Sequence, residues 1–184
     1  MTRRRLLAVV GLLALVLLAG CIGGSEIPEK QLTQDANYTW ATDANASYTL
    51  SRSSYEAVFT VSNTTSLRVY GSDALGTDQP VRVKALKFRF VNGTVVNASH
   101  ANLSATLEQK RTTLHLPARN GQVAYSAPRT GKEFATPVVV EGTQTITLPP
   151  TARVGVPLLS QVSPGGYHTT VEDDRMTIRW AEQT

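Results

Sequence analysis

From about Asn37 to the C-terminus, apolar residues recur at alternate positions in short runs broken by Gly, Pro, Asn and Asp. A period of two puts alternate side chains on one face of an extended chain, so this pattern commits the segment to β-strands. Tyr55, Ala57, Phe59 and Val61 alternate with Glu56, Val58 and Thr60. After the polar Asn63-Thr64-Thr65 the alternation resumes at Leu67 and Val69, which predicts a hairpin. Asp73 to Pro80 is rich in turn formers and reads as a loop. Val81, Val83 and Ala85 then share a face until the apolar set switches to Leu86, Phe88 and Phe90, and that one-residue change of phase predicts a bulge near Ala85. Asn92-Gly93, between Phe88 to Val91 and Thr94 to Asn97, is the strongest hairpin signal, expected as a type I′ turn with positive φ at both positions.

Further along, Thr113 to Leu116 and Gln122 to Tyr125 flank a turn ending at Gly121. Pro137 to Val140 and Thr143 to Leu148 flank Glu141-Gly142, and Tyr167 to Val171 and Arg175 to Trp180 flank Glu172-Asp173-Asp174. The one helical candidate is Ala101 to Arg111, with Leu103 and Leu107 four apart, but Ser104 and Thr106 are poor helix formers and a strand fits nearly as well. Strands at this spacing predict an all-β fold, an antiparallel sandwich or partly open barrel. Pro149-Pro150 and Pro157 to Gly166 are expected as crossover loops between sheets.

Residues 1–20 have the layout of an export signal. Arg3-Arg4-Arg5 precedes an uncharged apolar run from Leu6 to Ala19, and Leu18-Ala19-Gly20 precedes Cys21. A membrane-crossing helix needs about 20 apolar residues, and this run stops short of that. The segment resembles a prokaryotic lipoprotein signal, which implies cleavage before Cys21 and lipid attachment to it. The arginine pair followed by Leu6-Leu7 also resembles a twin-arginine signal, although the third arginine fits an ordinary secretory start equally well. Cys21 is the sole cysteine, so no intramolecular disulfide can form and the domain must be held by its core. Residues 21–36 carry few large apolar groups and are expected to be a flexible tether, in which Gly24 should tolerate substitution. The domain itself is expected over 37–184.

The formal charge of +4 does not indicate nucleic acid. Losing Arg3, Arg4 and Arg5 leaves 15 basic residues against 14 acidic ones, scattered without a phosphate-binding cluster. Six of the seven asparagines, Asn37, Asn45, Asn63, Asn92, Asn97 and Asn102, lie in Asn-X-Ser/Thr sequons. Ser and Thr frequency alone would give one or two, so the excess points to glycan attachment in an exported chain.

Little else suggests chemistry. His100, His115 and His168 have no paired ligand spacing, and Glu172-Asp173-Asp174 lacks the alternating oxygens and glycine of a calcium loop. No nucleophile elbow, zinc-protease pair or phosphate loop occurs. Tyr38, Trp40, Tyr48, Tyr55 and Tyr70 could line a glycan-binding face or simply pack the core. No cofactor or metal is implied.

The lipobox behind a double arginine, the sequons, the 13 arginines against five lysines and the runs Asp73 to Pro80 and Arg153 to Leu159 resemble a family of uncharacterised haloarchaeal lipoproteins. The resemblance implies a location and a lipid anchor on Cys21, and nothing catalytic. The near-neutral mature charge departs from the acidic surfaces usual in halophiles. Such relatives continue into a C-terminal membrane segment, which leaves a shortened member or an incomplete gene product as expectations. Together these features predict a lipid-anchored, N-glycosylated domain on the extracytoplasmic face of the membrane. Its expected role is that of a non-enzymatic interaction module, or the external part of a membrane complex, with a surface protein or glycan as partner. A cell-surface hydrolase and a small-ligand or metal-binding lipoprotein are the alternatives.

Overall fold

The computed structural model describes residues 24–73, 76–131, 133–154 and 162–183. Thirteen strands in these segments form two sheets that pack face to face as a β-sandwich. In chain order they are β1 (Ser25–Glu26), β2 (Ala46–Leu50), β3 (Ser54–Val61), β4 (Ser66–Ser72), β5 (Asp78–Pro80), β6 (Lys84–Phe90) and β7 (Val95–Asn97). There follow β8 (Ser104–Leu107), β9 (Thr112–His115), β10 (Gly121–Pro128), β11 (Gly142–Thr147), β12 (His168–Glu172) and β13 (Arg175–Gln183). A single helical turn, α1 (Glu29–Leu32), lies between β1 and β2. The small sheet has the order β1-β8-β9-β4-β5 and the large one β12-β13-β11-β2-β3-β10-β6-β7. One pair departs from the antiparallel expectation, because β11 runs parallel to β2.

The core between the sheets follows from the alternation. Phe59, Phe88, Val123 and Tyr125 from the large sheet meet Leu67, Val69, Ala105 and Leu114 from the small one, and all are buried. Each large apolar side chain enclosed this way stabilises the fold by about 1.5–3 kcal/mol. Where the small sheet gives out, Phe134, Val139 and Val140 pack against the same core from the loop before β11. That segment is not a strand, so the expected pairing of Pro137 to Val140 with Thr143 to Leu148 is not formed.

The bulge near Ala85 is present. The register between β10 and β6 shifts between Ala124 and Ser126, and Ala85 adopts φ of 50°. Ala101 to Arg111 contains β8, so the strand alternative holds there. The β6–β7 and β12–β13 hairpins also form, but their turn chemistries differ from expectation. At Asn92-Gly93 the Gly93 amide donates to Phe90 O at 2.9 Å and only Gly93 has positive φ, 88°. This is a turn closed by a glycine bulge, not type I′. The pair of positive φ values that a type I′ turn requires belongs to Asp173 (46°) and Asp174 (62°), between Glu172 and Arg175.

The hairpin expected at Asn63-Thr64-Thr65 and the turn expected at Pro117 to Gly121 are both arches. β3 and β4 lie in different sheets, as do β9 and β10, and their connections cross the sandwich side by side. The Thr64 amide donates to Arg119 O at 3.2 Å, and the Leu116 amide to Thr65 O at 2.8 Å. The Asn63 amide donates to Asn120 Oδ1 at 3.0 Å, and Arg119 Nη1 donates to Asn63 Oδ1 at 3.1 Å. Pro149-Pro150 and residues 162–166 are outside strands as expected, but they join β11 to β12 within one sheet rather than crossing between sheets. The remaining residues of the expected Pro157 to Gly166 loop, 157–161, lie outside the described residues.

The N-terminal segment is packed, which corrects the tether expectation from Ser25 onward. Ser25 and Glu26 pair with Leu107 and Thr106 of β8, and Ile27 and Leu32 join the main core. Gln31 Nε2 donates to Val83 O at 2.8 Å beside the stretch of β6 that β7 leaves unpaired. The chain then crosses the outer face of the large sheet. Tyr38 covers Val58, Ala85 and Ala124, with its hydroxyl donating to Ala85 O at 2.7 Å and Trp40 edge-on to its ring. Only four apolar side chains achieve this, too few to register as a pattern in a polar stretch. Residues 1–23, with the expected signal, Cys21 and the start of the tether, lie outside the described residues.

Gly24 is therefore not an indifferent position, since a Cβ there would sit 2.7 Å from Leu107 O. The clean comparison is Gly93→Ala against Gly71→Ala, because Gly71 has open space and no positive φ. Gly93→Ala is expected to cost about 1 kcal/mol from left-handed strain alone, and Gly71→Ala close to nothing. Equal urea midpoints for the two variants would contradict the turn geometry.

Candidate functional site

The register separates the sandwich into two ends. Ala46 pairs with Phe59, and Gly121 pairs with both Val61 and Phe90, so β2 and β10 begin where β3 and β6 finish. The two arches lie at this same end, where Ser66, His115 and Ser104 are level in the small sheet. At the opposite end are the β2–β3 turn around Arg52, the β8–β9 turn around Lys110 and the Asp173-Asp174 turn.

All six sequon asparagines are exposed. Asn45, Asn63 and Asn92 stand at the arch end, just before β2, in the first arch and in the β6–β7 turn. Asn102 lies two residues before Ser104 at the same end. Asn97 sits lower, opposite Lys87 on the short edge strand β7, and Asn37 rides on the segment crossing the outer face. Of the three sequons around the β6–β7 hairpin, Asn92 and Asn102 thus share one end, with Asn97 displaced along the edge.

Four of these side chains accept hydrogen bonds, three of them from backbone amides. Asn45 Oδ1 accepts from the Thr143 amide at 3.1 Å, Asn92 Oδ1 from the Thr94 amide at 3.0 Å and Asn97 Oδ1 from the Ser99 amide at 3.0 Å. Asn63 Oδ1 takes the Arg119 bond described above. Each contact uses Oδ1 and not Nδ2, the atom that carries an N-linked glycan. Turn formation and glycan attachment are therefore compatible at the same residue.

The residues considered for catalysis or metal binding stay apart. His100 lies by Phe90 in the β7–β8 connection, His115 Nε2 is 3.2 Å from Thr106 Oγ1 on the small sheet, and His168 lies on β12 opposite Arg179. No group of three or more His, Cys, Asp or Glu converges among the described residues. Asp174, in the acidic hairpin tip, pairs with Arg153 at 3.0 Å. The aromatic set does not make a binding face: Tyr48 and Tyr55 pack with Phe134 in the core, Tyr38 and Trp40 pin the crossing segment, and Arg111 lies over Tyr70. The depressions at the surface include one of about 420 Å³ lined by Thr60, Arg89, Phe90, Val91 and Gln122 at the arch end.

Two features were missed by the sequence pattern. Tyr48, Tyr55 and Tyr125 form a buried cluster in which Tyr55 and Tyr125 share a hydrogen bond and Thr136 Oγ1 donates to Tyr48 Oη at 2.7 Å. Glu56 is half-buried on the other face of β3, and loss of hydration raises its carboxyl pKa while the Arg175 cation works against that rise. Alternation marks which face these residues occupy, but not that three phenols from three strands meet.

These observations define a β-sandwich domain with exposed sequons gathered mainly at one end. The chain belongs to a family of unknown function, DUF5803, whose model matches residues 42–184. The matched span opens on the approach to β2, so the N-terminal wrap lies outside it. No curated protein and no solved structure matches the chain.

Proposed function

We propose that this protein is a lipid-anchored, N-glycosylated domain on the extracytoplasmic face of the cell membrane, acting as a non-enzymatic interaction module or as the external part of a membrane complex. The observation that carries this is the exposure of all six sequon asparagines behind an export-type N-terminus ending in Cys21. Exposure leaves every sequon open to a glycan transferase, and the excess of six over the one or two expected from Ser and Thr frequency favours attachment. The haloarchaeal lipoprotein character belongs to the same proposal, with a surface protein or glycan as partner.

Cys21→Ser is expected to move the protein from the membrane fraction to the medium, since the acyl anchor is lost. One acyl chain binds only marginally, so stable anchoring requires two chains or a second contact. Retention of the Ser variant after a high-salt wash would refute the lipid anchor. Glycopeptide mass analysis of protein from its native cell should find modified asparagine at Asn92, Asn97 or Asn102. Unmodified residues at all three would leave them as turn and strand-end residues only.

A further inference from the structure

We propose that the domain stands on the lipid surface on the end holding the β8–β9 and β2–β3 turns, and turns its arch end, with Asn45, Asn63 and Asn92, away from the membrane. This rests on the lipid-anchor reading of Cys21. The direction of entry carries it. Gly24 sits against Leu107 and Glu108, the residues that close β8, and Ser25 to Ile27 then run toward the arch end along β8. Gly24 is three chain steps from Cys21, a span of at most about 11 Å. Asn63 lies farther in the opposite direction. Ser104 is three residues along β8 from Leu107, Ser66 is level with Ser104, and Asn63 precedes Ser66 by three more. At about 3.3 Å per residue, Ser104 and the arch's start at Ser66 already lie about 13 Å along the strand axis from the level of Glu108 beside Gly24, beyond the anchor's reach.

The two ends differ in what they offer. The end nearest Gly24 exposes the cations Arg52 and Lys110 among mixed charge, a surface compatible with lipid headgroups. The arch end exposes sequons and Val91, and bulky hydrated glycans there would be free of the headgroup layer. Strand pairing, not the anchor alone, fixes this polarity: β1 and the core contacts of Ile27 and Leu32 hold the chain's entry point at one end of the small sheet.

Site-specific fluorescence on the full, lipidated protein tests this. In a lipoprotein the Cys21 thiol is consumed as a thioether, so an introduced cysteine is the only thiol free to label. Arg52→Cys and Lys110→Cys report on one end, and Ser62→Cys and Val91→Cys on the other; all four sites are exposed. The protein is reconstituted into phosphatidylcholine–phosphatidylglycerol vesicles carrying a headgroup acceptor dye. Donors at positions 52 and 110 are expected to transfer energy to the acceptor several-fold more efficiently than donors at 62 and 91. Equal transfer from both ends, or stronger transfer from 62 and 91, with the protein still vesicle-bound, would overturn the orientation and leave the anchor intact. Protein that floats free of vesicles and labels at Cys21 would instead overturn the anchor, and this orientation with it.

Discussion

Gly121→Ala is expected to be among the most damaging single-atom additions to this domain. Gly121 opens β10 at the arch end and pairs with β3 on one side and β6 on the other. Its φ is 153°, and a Cβ would lie 2.5 Å from Arg89 O and 2.6 Å from Phe88 Cζ. Neither neighbour can yield cheaply: Arg89 O is backbone in a central strand pair, and Phe88 is fully buried. Overpacking and backbone strain each cost about 1–3 kcal/mol, so a combined loss of about 2–6 kcal/mol is expected. That is a large part of the 5–15 kcal/mol typical of a domain this size. Urea melts should place the midpoint of Gly121→Ala clearly below that of Gly93→Ala, where strain acts without a clash. Coincident midpoints would show that the close approach at Gly121 is absent.

The same position shows what the sequence could and could not convey. Gly121 was legible as the end of a turn, because Pro117 to Gly121 separates two alternating runs. That the turn is an arch was not legible. Hairpins and arches both need polar, turn-forming residues between strands of period two, and they differ only in whether the strands then bond to each other or face each other across the core. Asn63-Thr64-Thr65 suffers the same ambiguity. The choice is made by partners far away in sequence, since β3 finds β2 and β10, while β4 finds β9 and β5.

Local rules fared better where the deciding physics is local. The phase change at Ala85 marked a real bulge, and both hairpins with an Asn-Gly or acidic tip exist. Even so, the φ values at Asp173 and Asp174 show that a type I′ turn can form without glycine, while Gly93 serves a bulge. The N-terminal wrap was invisible for another reason. Ile27, Leu32, Tyr38 and Trp40 are spaced irregularly because the segment changes from strand to helical turn to extended chain within about a dozen residues, so no single period could appear. Exposure of the sequons is a consequence of their chemistry: an asparagine in a turn or at a strand end already points to solvent.

Alkaline pH should unfold this protein abruptly, and the buried tyrosine cluster is the reason. Burial raises the phenol pKa of Tyr48, pushes Tyr55 up to about 12 and holds Tyr125 well above the ordinary value, helped by its two phenolic neighbours. The native state therefore keeps these protons after an unfolded chain, titrating near pH 10, has released them. The phenols leave stability unaffected below about pH 10 and lower it as pH rises from there toward the folded pKa values, because the unfolded state binds fewer protons. Burial raises the Tyr38 phenol as well, and four such groups give a slope of about 5 kcal/mol per pH unit, enough to exhaust an ordinary folding free energy within about two to three units. The phenolate absorbance of the cluster should therefore appear in one cooperative step coincident with loss of the β-sheet circular dichroism signal. Tyr55→Phe removes one proton from that linkage and should make the transition shallower, by about a quarter of the slope, while keeping the ring's packing against Phe134. Ionisation of the cluster phenols near pH 10, with the sheet signal intact, would mean that Tyr48, Tyr55 and Tyr125 are open to water and that the core is not closed around them.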